Sequence, residues 1–209
     1  LGVLAMPISI FSRSFAMSAV RLFCRLQAFG LWLICGISME VRTGPDVTPE
    51  LWNLFYDFYT GNIRRHGGMI HLTREFFQML GRSLPEALVL VLARRGNEYV
   101  GAAINLRDQN ALYGRYWGGR EGFNSLHFEA CYYTPIEYCI AQGLKRFEGG
   151  AGGEHKLARG FLPVTTHSLH WLRHPQFARA VADFLERERN GVEVYMDELN
   201  EHAPFKKAE

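Results

Sequence analysis

The stretch Ala87-Leu-Val-Leu-Val-Leu-Ala93 is a continuous apolar run of strand length near the middle of the sequence. Runs of this kind are typical of strands that are buried on both faces of a sheet. A polar turn at residues 94–98 follows, and residues 99–106 then alternate between apolar and other side chains. A second polar turn leads into residues 111–117. Three strands joined by tight turns predict an antiparallel meander.

Helical patterns surround this meander. On the amino-terminal side, Thr48-Pro49 places a hydroxyl N-cap before a proline, which predicts the start of a helix. A second helix is predicted over residues 73–81, and residues 39–43 predict a short strand before both helices. The apolar face of the first helix consists of Leu51, Leu54, Phe55, Phe58 and Tyr59.

On the carboxyl-terminal side, a long helix is predicted over residues 125–142, bent at Pro135 and terminated by Gly143. Residues 144–148 predict a strand, and Pro175 begins a last helix. The order is strand, two helices, three antiparallel strands, helix, strand and tail. It predicts an α/β (α+β) fold with a central mixed, largely antiparallel sheet flanked by helices. The predicted apolar face of the last helix is Phe177, Ala180, Val181, Phe184 and Leu185.

Composition and charge exclude several classes of protein. The 209 residues are 48% hydrophobic and 21% charged, as expected for a globular domain. The net charge is +2, but residues 1–38 hold three arginines and no acid, so the remainder carries −1. A nearly neutral body argues against broad electrostatic binding of nucleic acid. The four cysteines match neither a zinc pattern nor a disulfide framework, which indicates a reducing compartment and a cytoplasmic location.

Residues 1–38 differ from the rest, so we divide the chain into this apolar segment and a domain at residues 39–206. The largely apolar run at residues 26–37 is shorter than the roughly 20 residues of a membrane-spanning helix, so no membrane span is predicted. The favoured interpretation is a fragment or targeting-like segment outside the core fold. The alternative is an organellar transit peptide, because the segment has arginines and serines but no acids.

The segment Glu148-Gly-Gly-Ala-Gly-Gly-Glu-His-Lys-Leu-Ala-Arg159 has the clearest features of a functional site. Its glycines follow a predicted strand and precede a helical turn, where backbone amides can approach an anionic ligand. Lys156 and Arg159 add positive charge on one face of that turn. The alternative is a flexible connection with a solvated basic face. The candidate ligand-binding residues are Gly149, Gly150, Gly152, Gly153, Glu154, Lys156 and Arg159, with His155 as a candidate base.

The long helix and the third meander strand supply further candidates. Glu129, Tyr133 and Glu137 recur every four residues, so they either line a cleft or form the solvated side of the helix. At the strand end, Tyr113, Arg115 and Trp117 are predicted to face one way and Tyr116 the other. We select Glu129 and Tyr133 as catalytic candidates, and Arg115, Trp117 and His127 as substrate-binding candidates. No group of histidines and acids has metal-ligand spacing, so no metal site is predicted.

Four segments together resemble a known family. They are GRYWG at 114–118, LHFEACYY at 126–133, EGGAGGEHKLARGFLPV at 148–164 and ADFLERER at 182–189. They are similar to the FemAB-like N-acyltransferases of the GNAT superfamily, labelled as peptidoglycan biosynthesis or recognition proteins. The likeness runs from about Gly36 to Lys206. Family members have two tandem acyltransferase domains, and this chain resembles the carboxyl-terminal one.

The resemblance implies a GNAT-like fold and transfer of an acyl or aminoacyl group to an amine. Fem-type relatives use aminoacyl-tRNA as donor and a peptidoglycan precursor as acceptor. Other GNAT enzymes hold the pyrophosphate of acetyl-CoA in a Q/RxxGxG/A loop, and residues 118–125 of this chain do not match that motif. This mismatch argues against acetyl-CoA; aminoacyl-tRNA and acyl-CoA stay open as donors, and no tightly bound cofactor is expected.

Two functional hypotheses follow. The first is an N-acyltransferase for a small-molecule or peptide amine, in which His155 or Glu129 is the base and Tyr133 protonates the leaving group. The glycine amides would bind the developing oxyanion, and Lys156 and Arg159 a phosphate or carboxylate. The second is a non-catalytic GNAT-fold module that recognises peptidoglycan-like or nucleotide-linked ligands. No feature of the sequence sets the oligomeric state.

Overall fold

Four antiparallel strands form the sheet around which most of the chain is organised. In a computed structural model, which describes residues 3–14, 36–123, 125–151 and 153–201, these strands are neighbours in sequence order. The second of them is the apolar run at residues 87–93, and Val89 to Ala93 are fully buried. The strands are β2 (Ile37–Thr43), β3 (Leu88–Arg95), β4 (Glu98–Arg107) and β5 (Ala111–Gly119).

Helices cover both faces of this sheet, which explains why β3 is apolar without alternation. On one face lie α1 (Pro49–Arg65) and α2 (Arg74–Ser83). Trp52, Phe55 and Phe77 of these helices pack with Leu90 and Ile104 of the sheet. On the other face, Ala130 of the long helix packs against β3 and β4. The predicted helix starts are confirmed, and the Thr73 hydroxyl accepts a hydrogen bond from the Phe76 amide at 3.2 Å.

The apolar face of α1 is centred on different residues from those predicted. The buried side chains are Trp52, Phe55 and Tyr59, whereas Leu51 and Phe58 are only partly buried. The backbone of α1 also lies directly against β5 at Gly118, where a Cβ atom would overlap the carbonyl group of Phe58. The absence of a side chain at Gly118 therefore lets the helix backbone lie directly on the strand.

The long helix α3 consists of three consecutive segments. Leu126–Phe128 is α-helical, Glu129–Tyr133 is π-helical, and Thr134–Gln142 is α-helical again. Gly143 ends the helix with φ 69°, as predicted for a left-handed cap. The predicted distortion at Pro135 takes the form of the π-helical turn that precedes it. Cys131 and Cys139 are free thiols, and burial raises the pKa of Cys139 to about 12.

By internal contacts, the chain divides into two compact units. The meander unit is Ser14–Phe147, and the C-terminal unit combines Leu1–Arg13 with Glu148–Glu209. The C-terminal unit contains β1 (Val3–Ser14), which pairs in antiparallel fashion with β7 (Leu162–Trp171). It also contains α4 (Pro175–Glu201), and β6 (Arg146–Ala151) spans the boundary.

The C-terminal unit departs from the sequence predictions in two respects. Residues 3–14 form a strand, although no element was predicted there. The predicted apolar face of α4 is also largely wrong, because Phe177 and Phe184 are 58% and 51% exposed while Leu185 is buried. Among the described helices, none combines the length and the apolar character needed to cross a membrane.

Candidate active site

A bulge in β5 decides which of its side chains share a face. Ile104 pairs with Tyr116 and Asn105 with Gly114, so Arg115 is the extra residue. Because paired residues in a sheet lie on the same face, Tyr113 lies with Tyr116, and Trp117 lies on the opposite face. The prediction that Tyr113, Arg115 and Trp117 face one way is therefore wrong. The exposed Arg115 instead stacks over the Tyr113 ring at 5.4 Å.

Trp117 and His127, two of the predicted substrate-binding residues, are brought together. Their ring centroids lie 5.5 Å apart in an edge-to-face arrangement. The His127 ring also contacts Tyr132 at 5.4 Å. Trp117 belongs to β5 and His127 to the first turn of α3, so this aromatic group forms where the strand and the helix meet. It forms one side of the region in which α3 packs on the sheet.

The π-helical turn of α3 positions Glu129. The Thr134 amide donates to the Glu129 carbonyl, which is five residues earlier rather than four. Pro135 follows directly, and a proline has no amide hydrogen to continue the regular pattern. The wider turn places the Thr134 side chain beside Glu129. The Thr134 hydroxyl donates to Oε1 of Glu129 at 2.8 Å.

Glu129 is buried, with 4% of its surface exposed, so it does not lie on a solvated side of the helix. Burial raises its pKa from 4.5 to about 7, and the nearby charge of Glu137 acts in the same direction. The hydrogen bond from Thr134 lowers the pKa and offsets part of this effect. Tyr133 and Glu137 are half-buried. A carboxyl group that titrates near neutral pH can both accept and release a proton there.

The glycine-rich segment is organised by Lys156. This side chain is 5% exposed, and its ammonium group donates to the Gly150 carbonyl oxygen at 2.9 Å. Gly150 and Gly153 have φ of +84° and +89°, a region that side-chain-bearing residues rarely adopt. The alternative of a solvated basic face is therefore wrong for Lys156. Gly152 and the side chain of Glu154 lie outside the described residues.

His155 and Arg159 lie on the short 3-10 turn Glu154–Arg159 that follows the glycines. Arg159 donates from Nη1 to the His155 carbonyl oxygen at 2.6 Å. The pKa of the exposed His155 is lowered, first by partial desolvation and then by the charges of Lys156 and Arg159. The ring also lies close to Gly153, where a Cβ atom would come within 2.6 Å of Cε1. The imidazole is thus favoured in its neutral form, which can accept a proton.

The structure adds two polar residues that the sequence analysis did not select, the half-buried Thr134 and the buried Asn105. Thr134 binds Glu129, and Asn105 of β4 is 1% exposed and donates to the Val89 carbonyl oxygen at 3.4 Å. Asn105 could have been noticed as a polar residue within an apolar strand, and Thr134 as the residue before Pro135. Over the described residues, no three His, Cys, Asp or Glu side chains gather as metal ligands.

The candidate residues therefore form two groups, one in each unit. In the meander unit, Trp117 and His127 are in contact and Glu129 is bound by Thr134. In the C-terminal unit, Gly150, Lys156, His155 and Arg159 are linked by hydrogen bonds and charge. Each group contains one side chain whose altered pKa suits proton transfer.

Comparisons with known proteins concern the same regions. A family model described as FemAB-like, peptidoglycan biosynthesis/recognition, matches residues 33–207. No curated protein sequence matches the chain. Among solved structures, the C-terminal domain of a putative lysylphosphatidylglycerol synthetase from Agrobacterium fabrum has a TM-score of 0.56 and 9% identity, over 76% of this chain and 52% of that one.

Two further solved structures are similar. FemX has a TM-score of 0.56 and 11% identity, over 69% of this chain and 53% of its own. L-PGS from Bacillus licheniformis has a TM-score of 0.54 and 10% identity, over 88% of this chain and 67% of its own. The chain spans about half the length of the first two structures. At these identities the likeness concerns the fold, and the predicted mixed α+β fold is confirmed.

Proposed function

The chain belongs to the FemAB-like family of peptidoglycan biosynthesis and recognition proteins, and on that premise we propose that it transfers an acyl or aminoacyl group to an amine. The observation that carries the proposal is the buried Glu129 carboxyl, whose pKa is raised to about 7. An amine acceptor is protonated at neutral pH and must lose a proton before it can attack. A base that titrates near neutral pH meets this need.

The proposed reaction proceeds in two steps. The base takes a proton from the acceptor ammonium, and the free amine attacks the carbonyl carbon of the donor ester or thioester. The attacking nitrogen then loses its second proton to the base, the tetrahedral oxyanion collapses, the bond from carbon to the leaving oxygen or sulfur breaks, and the leaving group receives a proton. Glu129 and His155 are both candidates for the base, and Tyr133 for the proton donor. Backbone amides of the glycine-rich segment would stabilise the oxyanion.

Contacts in the segment at residues 118–125 bear on the donor. Arg65 donates from Nη2 to the Gly119 carbonyl oxygen at 2.7 Å, and the Arg120 amide donates to the Val100 carbonyl oxygen at 2.7 Å. These groups are engaged within the protein, at the place where GNAT enzymes bind a pyrophosphate. Together with the missing Q/RxxGxG/A motif, these contacts weigh against acetyl-CoA, and family membership supports aminoacyl-tRNA as the donor. The acceptor would be an amine of a small molecule or of a peptide, such as a peptidoglycan-type precursor.

Transfer assays with labelled aminoacyl-tRNA and with acetyl-CoA, each offered a panel of peptide amines, test this proposal. Glu129→Gln or His155→Ala should lower the rate by about 100-fold or more, the usual contribution of a general base. Matched controls are Glu86→Gln and His71→Ala, which replace exposed side chains outside both groups. Rates within about threefold of wild type for both test variants contradict the assignment of the base.

The non-catalytic binding module stays as the alternative function. The observation that favours it is the Lys156 ammonium, which is directed at the protein's own Gly150 carbonyl. Under this alternative, calorimetry would detect binding of a peptidoglycan-like or nucleotide-linked ligand, and Glu129→Gln would leave that binding unchanged. Turnover with any donor excludes it.

A further inference from the structure

The bulge in β5 brings three solvent-accessible side chains together on one face of the sheet. Tyr113 and Tyr116 pair with Leu106 and Ile104 of β4, which are two residues apart. Two residues of a strand correspond to about 7 Å, so the two tyrosines are neighbours on that face. Arg115, the extra residue of the bulge, turns its guanidinium group over the Tyr113 ring at 5.4 Å. We call Tyr113, Arg115 and Tyr116 the bulge surface.

The Tyr113 ring is held in place by its hydroxyl group. This hydroxyl donates to Oδ2 of Asp108 at 2.8 Å and accepts from Nη2 of Arg146 at 3.4 Å. Oδ1 of Asp108 accepts from the backbone amides of Asn110 and Ala111, each at 2.7 Å. The ring therefore provides a fixed support for the guanidinium group that stacks on it. A side chain held in this way loses less freedom when it binds a ligand.

The Arg115 guanidinium keeps most of its hydrogen-bonding capacity for a ligand. Nη1 donates to the Gly114 carbonyl oxygen at 3.1 Å. Over the part of the chain that the structure describes, this is its one hydrogen bond to the protein. A guanidinium group has further N–H donors in a planar fork, and the side chain is exposed. These donors can therefore reach a ligand in solution.

Tyr116 supplies an apolar platform in the same bulge surface. Its side chain is 42% exposed. The ring meets the buried rings of Tyr59 and Phe77 edge-on, at centroid distances of 5.2 Å and 6.3 Å. These contacts support the ring from the protein side and leave part of it open to solvent. An aromatic ring held in this way can pack against an apolar group of a ligand.

The charges around the bulge surface favour a carboxylate over other ligand classes. Arg115 and Arg146 carry two positive charges and Asp108 one negative charge, which leaves a single positive charge. A carboxylate has one negative charge, and its two oxygens match the guanidinium fork. A phosphate monoester carries about −2 at pH 7, so Asp108 would repel it more strongly. A cation would be repelled by the two guanidinium groups.

We propose that the bulge surface binds the carboxyl terminus of a peptide whose last residue has a large apolar side chain. Arg115 binds the terminal carboxylate through paired hydrogen bonds, and Tyr116 contacts the apolar side chain. Tyr113 positions the guanidinium group. This site goes beyond the proposed acyl transfer and does not depend on it.

Ligand-observed NMR titration of the full chain with four probes tests the proposal. N-acetylphenylalanine represents the last residue of a peptide, and its amide lacks the carboxylate. N-acetylglycine lacks the apolar side chain, and phenyl phosphate carries a phosphate instead. We expect saturable binding of N-acetylphenylalanine below about 20 mM, with the amide weaker by about tenfold and N-acetylglycine by about threefold or more.

These comparisons on the wild-type chain do not depend on any variant or on detection of acyl transfer. Absence of saturable binding of N-acetylphenylalanine overturns the proposal. Equal affinity for its amide or for N-acetylglycine overturns it as well, because one of the two proposed contacts would then contribute nothing. Binding of phenyl phosphate as tight as that of N-acetylphenylalanine would identify a phosphate site and contradict the assignment of a carboxylate.

A variant then locates the site. Arg115→Lys keeps the positive charge but loses the planar fork and the stacking on Tyr113. It should reduce the preference for N-acetylphenylalanine over its amide to about threefold or less. Arg82→Lys is the matched control, because it alters an exposed arginine at the end of α2, and it should keep the wild-type preference. A wild-type preference in Arg115→Lys would place the ligand elsewhere and refute the proposal.

Discussion

Glu129 is held between burial, which favours its protonated form, and the Thr134 hydroxyl, which favours its ionised form. Burial is the larger influence, and the pKa rises from 4.5 to about 7. Between these two values the folded protein binds more protons at Glu129 than the unfolded chain does. The contribution of Glu129 to stability is therefore fully present below pH 4.5, and it is lost as the pH rises to 7.

Replacement of Glu129 by glutamine should remove this loss. Between pH 4.5 and pH 8, the unfolding free energy of Glu129→Gln should rise by about 3 kcal/mol relative to that of wild type. Over the same range, the unfolding free energy of Thr134→Val should fall more than that of wild type, because this variant lacks the hydrogen bond that lowers the pKa of Glu129. Urea denaturation across that pH range measures the difference. Glu86→Gln, at an exposed carboxyl, should follow the wild-type curve. Parallel curves for Glu129→Gln and wild type would contradict the raised pKa.

At the scale of residues, the sequence indicates candidate site residues but not the surroundings of their side chains. Glu129 and the glycine-rich segment are identifiable from residue type and density. The burial of Lys156 is not, because its partner is a backbone carbonyl whose direction depends on the fold of the segment. The pairing of Glu129 with Thr134 depends on a π-helical turn, whereas the sequence analysis assumed a spacing of four residues.

At the scale of elements, the contact between α1 and β5 gives a sharp prediction. Gly118→Ala should destabilise the protein by roughly 2–3 kcal/mol, because the added methyl group meets the helix backbone at Phe58, which cannot move aside as a side chain could. Gly61→Ala in the same helix is the control. Its Cβ would lie 3.7 Å from Arg65 Nη1, so we expect about 0.5–1 kcal/mol of stabilisation. Thermal unfolding of both variants measures the two changes.

A Gly118→Ala variant as stable as wild type would show that the helix can shift on the strand.

This close packing of α1 on β5 cannot be predicted from the sequence, where Gly118 is one of several glycines near the end of a predicted strand. The strands themselves are visible, because an apolar run and an alternating run have a local period. The bulge at Arg115 is not, since it depends on the register with β4. Likewise, the sequence does not indicate which apolar residues of α4 are buried, because their burial depends on packing against other elements.

At the scale of the whole molecule, the two units differ in how much apolar surface they bury. In the meander unit, Val89 to Ala93 are fully buried between helices, whereas the buried side chains of α4 are Leu185 and Leu199. Local stability follows the density of buried apolar contacts. We therefore expect backbone amides of β3 and β4 to exchange with deuterium at least about tenfold more slowly than those of α4.

Hydrogen–deuterium exchange followed by mass spectrometry, with peptides covering each element, measures this difference. Equal protection of β4 and α4 would indicate that the two units unfold together.

The sequence predicts the strands of the meander unit well because they pair with their neighbours in the sequence. It does not predict that β1 pairs with β7, because Leu4 and His170 are partners across most of the chain and nothing in either segment identifies the other.

The π-helical turn at Glu129–Tyr133 also acts as a change of phase along α3. A regular helix advances by about 100° per residue, so one extra residue in a turn rotates everything that follows relative to everything before. In an uninterrupted α-helix, side chains five residues apart would point about 140° apart around the axis, so Thr134 lies beside Glu129 only because of the wider turn. Deletion of a single residue between Glu129 and Thr134 would restore a regular helix, in which the two side chains, then four residues apart, would stay neighbours on one face. In α3, the number of residues in one turn therefore sets which hydroxyl lies beside the Glu129 carboxyl.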